Sequence, residues 1–236
     1  MLELTKVVDQ PSACPYLDNR TARMPLEIPR KPIDAEQLDT LLAAGYRRSG
    51  WFYYRTACPG CQACEPLRVE VASFVQSRSL RRVLKRGDDS LKVLIGRPRC
   101  DAARLSLFNR HRMERNLARG DGEATEEDYN AFLVSSWNPT SEISYWQGDR
   151  LAAVAVVDVG AEALSAVYCY FDPDLDYLSL GTYSILTQLR LARARQMRWV
   201  YLGMYVAENR HLRYKARYLP HERLQSGSWH RYEVEA

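Results

Sequence analysis

The stretch LSAVYCYFDPDLDYLSLGTYSILTQLRLARARQMRWVYLG, Leu164–Gly203, contains the elements that decide the fold. Its apolar and aromatic start predicts a strand over Ala163–Phe171, which the acidic loop DPDLDYLSLG follows. The apolar spacing in TYSILTQLRLARARQ predicts a helix that begins at Thr182. A second strand is predicted over Trp199–Leu202. The stretch therefore predicts two strands connected by a helix.

Upstream of this stretch, the elements come in an order that is typical of one fold class. Strands are predicted over Ile143–Gln147 and Leu151–Asp158. A strand over Leu91–Pro98 comes earlier, followed by the helix DAARLSLFNRHRMERNLARG, which is expected to end near Gly120. The helix TEEDYNAFLVSS follows, with Thr125 as its N-cap and acids in its first turn. The order strand, two helices, three strands, helix, strand is that of an α/β acyltransferase of the GNAT type.

The N-terminal part of the chain is expected to form a smaller unit. We predict an α/β (α+β) protein in which a cysteine-containing domain over residues 1–78 precedes the GNAT-like domain over residues 79–236. Residues 1–35 are expected to be irregular, because their prolines come too close together for a helix. The segment DAEQLDTLLAAG predicts a short helix. Strands are predicted over Trp51–Arg55 and Leu67–Ala72, on either side of a cysteine loop.

Composition limits the classes of protein to which the chain can belong. Its 236 residues are 46% hydrophobic and 26% charged, which is enough apolar content for a core. No run of about 18 apolar residues suggests a membrane-spanning helix, and the N-terminus lacks the pattern of a secretory signal. We therefore expect no membrane partner and a cytoplasmic location. In that compartment the six cysteines are expected to be thiols, metal ligands or redox-active groups.

Five cations share one face of a predicted helix in SRSLRRVLKRGDD, while Leu80, Val83 and Leu84 take the opposite face. The five are Arg78, Arg81, Arg82, Lys85 and Arg86. Like charges at these spacings repel one another, and binding to phosphates relieves the repulsion. The helix is therefore predicted to bind a nucleic acid backbone. The alternative is a solvated basic face with no partner.

The cysteine loop has a run, CPGCQAC, that contains Cys58, Cys61 and Cys64, and Cys14 is available as a fourth thiolate. Four thiolates bind zinc or hold an iron–sulfur cluster. The second pair of a structural zinc site is missing, because the sequence after Cys14 is PYL. The alternative is a group of reduced structural or redox-sensitive thiols. Cys100 and Cys169 are isolated and are interpreted as buried apolar residues.

Two kinds of acyl-transfer chemistry find little support in the residues. A cysteine nucleophile needs a base close by, whereas all four histidines lie beyond residue 110 with no diagnostic spacing. Coenzyme-A-dependent members of the GNAT group have a basic, glycine-rich turn before the helix that begins here at Thr182. This chain has DPDLDYLSLG instead, whose carboxylates would repel a pyrophosphate. The acyl donor is therefore expected to be a different molecule.

Several segments in consistent order resemble the bacterial aspartate/glutamate leucyltransferases, which are relatives of the arginyl-tRNA–protein transferases of the N-degron pathway. The segments are CPYLDNRTAR, GYRRSGWFYYRTACPGCQACEPLRV, SRSLRRVLKR, LSAVYCYFDPDLDYLSLGTYSILTQLRLAR, VYLG and YKARYLP. The resemblance runs from about Cys14 to about Trp229. Leu17 stands where eukaryotic relatives have a second cysteine. The segment NRHLRYK, Asn209–Lys215, replaces a Cys-x-Lys-Met pattern before the Tyr-Lys pair.

The resemblance implies that an aminoacyl group moves from a charged tRNA to the N-terminal amine of a protein that begins with Asp or Glu, which marks the product for degradation. The ester is already activated, so no dedicated nucleophile is expected, the catalytic residue stays unknown and no cofactor is required. An acidic acceptor residue calls for a guanidinium. The candidates for acceptor binding are Arg47, Arg48, Arg20, Arg23 and Tyr16.

The leucyl group needs an apolar pocket, for which the candidates are Tyr168, Tyr170, Leu180 and Tyr183. Lys215 and Arg217 are expected near the acceptor end of the tRNA, beyond the basic helix. Three alternatives stay open at this point. The donor could be arginyl instead of leucyl, the protein could be a coenzyme-A-dependent N-acyltransferase, or it could be a non-catalytic RNA-binding zinc module.

Overall fold

The structure, a computed structural model, describes residues 2–117 and 122–234. Its strands are β1 Leu4–Val8, β2 Pro11–Ala13, β3 Thr21–Arg23, β4 Leu26–Pro29, β5 Arg47–Ser49, β6 Phe52–Tyr54, β7 Glu65–Glu70, β8 Lys92–Gly96, β9 Thr140–Gln147, β10 Arg150–Val159, β11 Ala163–Phe171, β12 Trp199–Tyr205, β13 His221–Gln225 and β14 Ser228–Tyr232. Its α-helices are α1 Ala35–Ala43, α2 Arg78–Ser90, α3 Ala102–Glu114, α4 Glu126–Tyr129 and α5 Leu180–Ala194. A π-helix over Asn130–Val134 continues α4, and 3₁₀ turns cover Pro173–Leu178 and Arg213–Arg217.

One large mixed sheet forms the centre of the molecule. Within the described residues its eight strands lie in the order β14-β13-β7-β12-β11-β10-β9-β8. The strand β7, which follows the cysteine loop directly, lies between β12 and β13 and is antiparallel to both. The sheet therefore crosses the predicted division at residue 78, because its strands come from both sides of that position.

The elements of the C-terminal part follow the predicted order, which confirms the GNAT-like α/β class. The strand β11 has the predicted bounds, and α5 begins two residues before the predicted start at Thr182. The helix α3 ends at Glu114, well before Gly120, because Asn116 adopts a left-handed backbone with φ of 54°. Gly120 itself lies outside the described residues.

The prediction that residues 1–35 are irregular is wrong, since β1 to β4 fall within them. The prolines fit because they stand at strand ends, where a missing N–H costs little. Pro11 is the first residue of β2, and Pro29 is the last residue of β4. The strands β1, β4, β6 and β5 form a separate small sheet, and β2 pairs with β3.

Helices cover both faces of the large sheet. The helices α2 and α5 pack on one face over a core that includes Leu80, Val83 and Leu186, and α3 packs on the other face with Phe108. The helix α1 and the small sheet enclose a third cluster around Tyr53 and Tyr201. None of the described helices is long and apolar enough to cross a membrane.

The two parallel strands β11 and β12 pair over a short length only. Their partners run from Ala163 with Trp199 to Ser165 with Tyr201, although both strands continue further. At the same level β12 has a bulge opposite β7, and Gly203 adopts a φ of 83°, which glycine tolerates without strain. Separation of two adjacent strands inside a sheet leaves a space between them, and this is where the candidate site lies.

Gly87 sets the distance between α2 and α5. A Cβ atom at this position would lie 2.2 Å from two ring carbons of Tyr183, which is fully buried and donates a hydrogen bond to Asp88. We expect Gly87→Ala to lower the free energy of unfolding by about 1–3 kcal/mol in urea titrations, because overpacking outweighs the gain in helix propensity. Gly96→Ala is the control, since no atom lies within 4 Å of its Cβ position. Equal effects of the two substitutions would contradict this account.

Candidate active site

A cavity of about 550 Å³ lies between β11 and β12 beyond the point where their pairing stops. The start of α5 closes one side, and the segment that ends at Lys215 closes another. Its apolar wall consists of Ala166, Val167, Tyr168, Leu180, Ile185 and Leu202. Polar side chains, among them Ser184, Gln188 and Lys215, also line it. The cavity can therefore hold an apolar group with a polar group attached to it.

The N-terminus of α5 faces this cavity through Ser179, Leu180, Gly181 and Thr182. Ser179 has a left-handed backbone and caps the helix without a side-chain hydrogen bond. Its carbonyl oxygen accepts the N–H groups of Thr182 and Tyr183. The positive end of a helix dipole is thus directed at the cavity, where it favours negative charge.

Arg47 is buried beside Lys215, a residue that lines the cavity, and forms no ion pair with a carboxylate among the described residues. The residue is 5% exposed, and its Nη1 donates to Ser165 Oγ at 3.3 Å. Its Nε and Nη2 atoms are buried without any hydrogen-bond acceptor among the described residues. The guanidinium lies over the Tyr201 ring, with 5.5 Å between Arg47 Cζ and the ring centroid. A buried cation with free donors is costly, and a carboxylate ligand would satisfy it.

Lys215 is the second buried cation, and it lines the cavity. The residue is 8% exposed, and its Nζ donates to the carbonyl oxygen of Met204 at 2.7 Å. Burial, together with the nearby charge of Arg47, lowers the pKa of Lys215 to about 7. A Cβ atom placed on Gly203 would lie 3.4 Å from Lys215 Nζ and 4.0 Å from Arg47 Nη2. Both groups therefore lie close to the same point beside Gly203, where a side chain would come into contact with them.

Arg48 does not share this environment, and the structure gives it a different role from the predicted acceptor binding. Its Nε donates to Asp158 at 2.9 Å, and both side chains are 2% exposed. Its Nη1 donates to the carbonyl oxygen of Gly50, and Asp158 also accepts from Thr140 Oγ1 at 2.9 Å. Successive side chains of a strand point to opposite faces, so Arg47 and Arg48 reach different surroundings. Arg48 already has its carboxylate.

The remaining candidates for acceptor binding also differ in their positions and in the partners that they already have. Tyr16 hydrogen-bonds with Tyr54, and its carbonyl oxygen accepts from Asn209 Nδ2 at 2.8 Å, which connects it to the segment before Lys215. Arg23 makes two hydrogen bonds to Asp9, at 2.7 and 2.8 Å. Arg20 is exposed. The structure therefore brings Tyr16 close to Arg47 and gives Arg23 a carboxylate of its own.

The four predicted donor-pocket residues fall into two pairs, one at the cavity and one away from it. Tyr168 and Leu180 line the cavity. Tyr170 is fully buried and its hydroxyl lies 2.6 Å from that of Tyr129, while the Tyr183 hydroxyl donates to Asp88 at 2.9 Å. Neither of these two tyrosines is among the cavity residues, because Tyr170 packs against Phe108 of α3 and the Tyr183 ring faces Gly87 of α2. His111 also lines the cavity, and burial lowers its pKa to about 4, so the ring is neutral near pH 7.

The predicted tRNA-binding residues fall into two groups. Arg78, Arg81, Arg82, Lys85 and Arg86 are all exposed on α2, and Leu80 and Val83 are buried beneath them. Lys85 pairs with Asp89 at the surface. Arg217 donates to Thr182 Oγ1 at 2.7 Å, which places it at the start of α5, and Lys215 is buried. Of these seven predicted residues, the five on α2 form an open basic surface.

The cysteine loop brings Cys64 close to three other thiols. Burial, and then the neighbouring thiols Cys14, Cys58 and Cys61, raise the pKa of Cys64 to about 12, so the four lie near one another. Cys58 Sγ accepts the N–H of Arg23 at 3.3 Å. Across residues 2–117 and 122–234, no three His, Cys, Asp or Glu side chains are placed to hold a metal ion. Cys100 and Cys169 are partly buried against apolar clusters.

The acidic loop before α5 is less negative towards the cavity than its sequence indicates. Asp172 and Asp174 both form ion pairs with Arg110 and Arg150. Asp176 is the loop carboxylate that lines the cavity. The electrostatic argument against coenzyme A therefore rests on fewer charges than the loop contains.

Family comparisons decide between the alternatives. Residues 12–82 match the family described as arginine-tRNA-protein transferase, N terminus, and residues 103–225 match its C terminus. The chain belongs to the arginine-tRNA-protein transferase family. The predicted resemblance is confirmed, and so is the prediction of an enzyme. Neither a coenzyme-A-dependent acyltransferase nor a non-catalytic RNA-binding module is favoured for this transferase.

Curated relatives match the transferase over nearly its whole length. An aspartate/glutamate leucyltransferase of Thiobacillus denitrificans is 38% identical over 221 residues, covering 94% of this chain and 92% of the relative. One of Nitrosococcus oceani is 38% identical and covers 93% and 92%. Among solved structures, FemX matches with a TM-score of 0.42 and 9% identity over 86% of this chain and 79% of that one.

Proposed function

We propose that the transferase moves leucine from its tRNA ester to the α-amine of proteins that begin with Asp or Glu, which marks them for degradation. The proposal rests on one observation: Arg47, a buried arginine with free donors, lies beside Lys215, which lines a cavity with a largely apolar side. The names of the relatives agree with a leucyl donor and acidic acceptors. Charged tRNA is available in the cytoplasm, where we expect the reaction to occur.

Arg47 is the proposed site for the acceptor's side chain. Two guanidinium donors match the two oxygens of a carboxylate, and Nε and Nη2 are the two donors left free. An acidic residue would neutralise the buried charge, whereas a lysine would add a second one. This difference accounts for a preference for Asp and Glu at the acceptor position.

The cavity is the proposed site of the leucyl group. Its walls are apolar, and the cations Arg115 and Lys215 line it along with Asp176. An arginyl side chain would lose its hydration against these walls and meet the charge of Arg115, whereas a leucyl side chain would bury apolar surface. The cavity therefore favours leucyl over arginyl as the donor.

Positioning supplies the proposed catalysis, since the ester is already activated. Holding the amine and the ester together accounts for about 7–11 kcal/mol of the barrier in well-oriented reactions. The positive end of α5 faces the cavity and would stabilise the oxyanion that forms on the carbonyl oxygen when the amine attacks. No metal is needed for these steps. Metal analysis of protein purified without oxygen tests whether the cysteine cluster holds one.

The basic surface of α2 is the proposed contact for the tRNA backbone. We expect the triple variant Arg81→Glu, Arg82→Glu, Lys85→Glu to reduce the slope of log Kd against log salt by about 2–3, because each lost phosphate contact removes roughly one released counterion. The control reverses the exposed cations Lys6, Arg30 and Lys31, which changes net charge equally. An unchanged slope in the α2 variant would remove this helix from the interface.

A transfer assay tests the proposed function as a whole. Leucyl-tRNA and arginyl-tRNA are each supplied with peptides that begin with Asp, Glu or Lys, and the product is identified by mass spectrometry. We expect leucine on the Asp and Glu peptides and none on the Lys peptide. Transfer from arginyl-tRNA alone, or equal transfer to the Lys peptide, would contradict the proposal.

A further inference from the structure

The proposed reaction requires a group that receives the acceptor's proton. An α-amine has an ordinary pKa of about 7.7–8.0, so most of it is protonated and cannot attack at neutral pH. We propose that Lys215 is the general base that takes this proton. The assignment rests on the proposed function, since it concerns the acceptor amine of that reaction.

The position of Lys215 carries the assignment. Lys215 lines the cavity proposed for the leucyl ester, and its Nζ shares the space beside Gly203 with Arg47 Nη2. Only Cα and Cβ separate the carboxylate of an aspartate from its α-amine. With the carboxylate on Arg47, the amine would therefore lie between Arg47 and the cavity, which is where Lys215 is found.

The surroundings of Lys215 favour its neutral form. Met204 supplies the one hydrogen-bond acceptor found for Nζ within the described residues, and Arg47 on β5 is the cation beside it. Burial is the larger cause of the lowered pKa, so a carboxylate that offsets the charge of Arg47 would remove only the smaller cause. The other ionisable groups that line the cavity are His111, Arg115, Tyr168, Cys169, Asp176, His211 and Tyr214.

The proton transfers balance over the reaction. Neutral Lys215 takes a proton from the α-ammonium, and the freed amine attacks the ester carbonyl to form a C–N bond. The Lys215 ammonium then gives its proton to the ribose oxygen as the C–O bond breaks. Lys215 takes the second proton from the new nitrogen and releases it to solvent. The products are an amide, a free ribose hydroxyl and one proton.

The test compares single-turnover rates of Lys215→Met and Lys215→Arg with the wild-type enzyme from pH 6 to pH 8.5, using leucyl-tRNA and a saturating Asp-start peptide. Arg213→Met is the control, because Arg213 is exposed in the same turn. A general base contributes about 100-fold or more to the rate. At pH 6 we expect the rate of Lys215→Met to be about 100-fold below the wild-type rate. At pH 8 this difference should be about tenfold smaller, because the free amine forms without help.

The arginine variant separates a base from a charge. Arginine keeps the positive charge but does not lose its proton, so we expect Lys215→Arg to be as slow as Lys215→Met. A Lys215→Arg rate within threefold of the wild-type rate would overturn the proposal. So would a loss of rate in Lys215→Met that is the same at every pH. If the variants do not fold, the wild-type profile decides. Inflections of the wild-type rate near both pH 7 and pH 8 support Lys215 as the general base. A single inflection near pH 8 overturns that assignment. Absence of any transfer by the wild type would instead contradict the proposed function.

Discussion

Replacing Arg48 by methionine is expected to lower the free energy of unfolding by about 3–5 kcal/mol. The substitution leaves Asp158 as a buried carboxylate, 2% exposed, without its cation. It also removes the hydrogen bond from Nη1 to Gly50, which holds the turn between β5 and β6. The loss is measured by urea unfolding at pH 7, followed by circular dichroism.

The control for Arg48 removes both charges at once. A double variant, Arg48→Met with Asp158→Leu, is expected to recover most of the lost stability, since apolar residues often replace a buried ion pair without cost. A stable Arg48→Met variant with a raised KM for Asp-start peptides would contradict this account. Arg48 would then be an acceptor-binding residue, as its place next to Arg47 in the sequence suggests.

Replacing Arg47 by methionine is expected to lower kcat/KM for Asp-start peptides by about 100- to 1,000-fold, which corresponds to about 3–4 kcal/mol of lost transition-state binding. The free energy of unfolding should stay the same or rise, because no carboxylate in the described residues loses a partner and a buried charge is removed. Arg48→Met is therefore expected to lower stability, whereas Arg47→Met is expected to lower activity without lowering stability.

Discrimination between acceptors is the sharper measurement for Arg47. An Asn-start peptide has nearly the same shape as an Asp-start peptide but no charge, so the wild type should prefer Asp strongly and Arg47→Met should not. Affinity for leucyl-tRNA serves as the control and should change little. If Arg47→Met unfolds as readily as Arg48→Met and still prefers Asp, Arg47 is a structural residue.

The sequence contains enough information for the order of the C-terminal elements, because β9 to β12 and α5 have the apolar spacing of their own secondary structure. It also predicts that the cations of α2 share an exposed face. Such properties depend on residues close together in the chain. They are therefore visible without any knowledge of tertiary contacts.

The partners of the site residues come from distant parts of the chain, and this limits what the sequence predicts. Asp158 lies 110 residues from Arg48, so nothing near RRSG shows which of the two arginines is neutralised. Tyr168 and Tyr170 lie on one face of β11, yet only Tyr170 is covered by Tyr129. Gly203 gives no local sign that a lysine and an arginine meet beside it.

The position of β7 has a consequence for how the protein is made. This strand, Glu65–Glu70, is synthesised early, but its partners β12 and β13 belong to the last part of the chain. During translation both of its edges stay unpaired until most of the chain has left the ribosome. Contacts that distant in sequence slow folding, and open strand edges promote aggregation. We therefore expect the cysteine loop, which precedes β7 directly, to reach its final position only after synthesis is nearly complete.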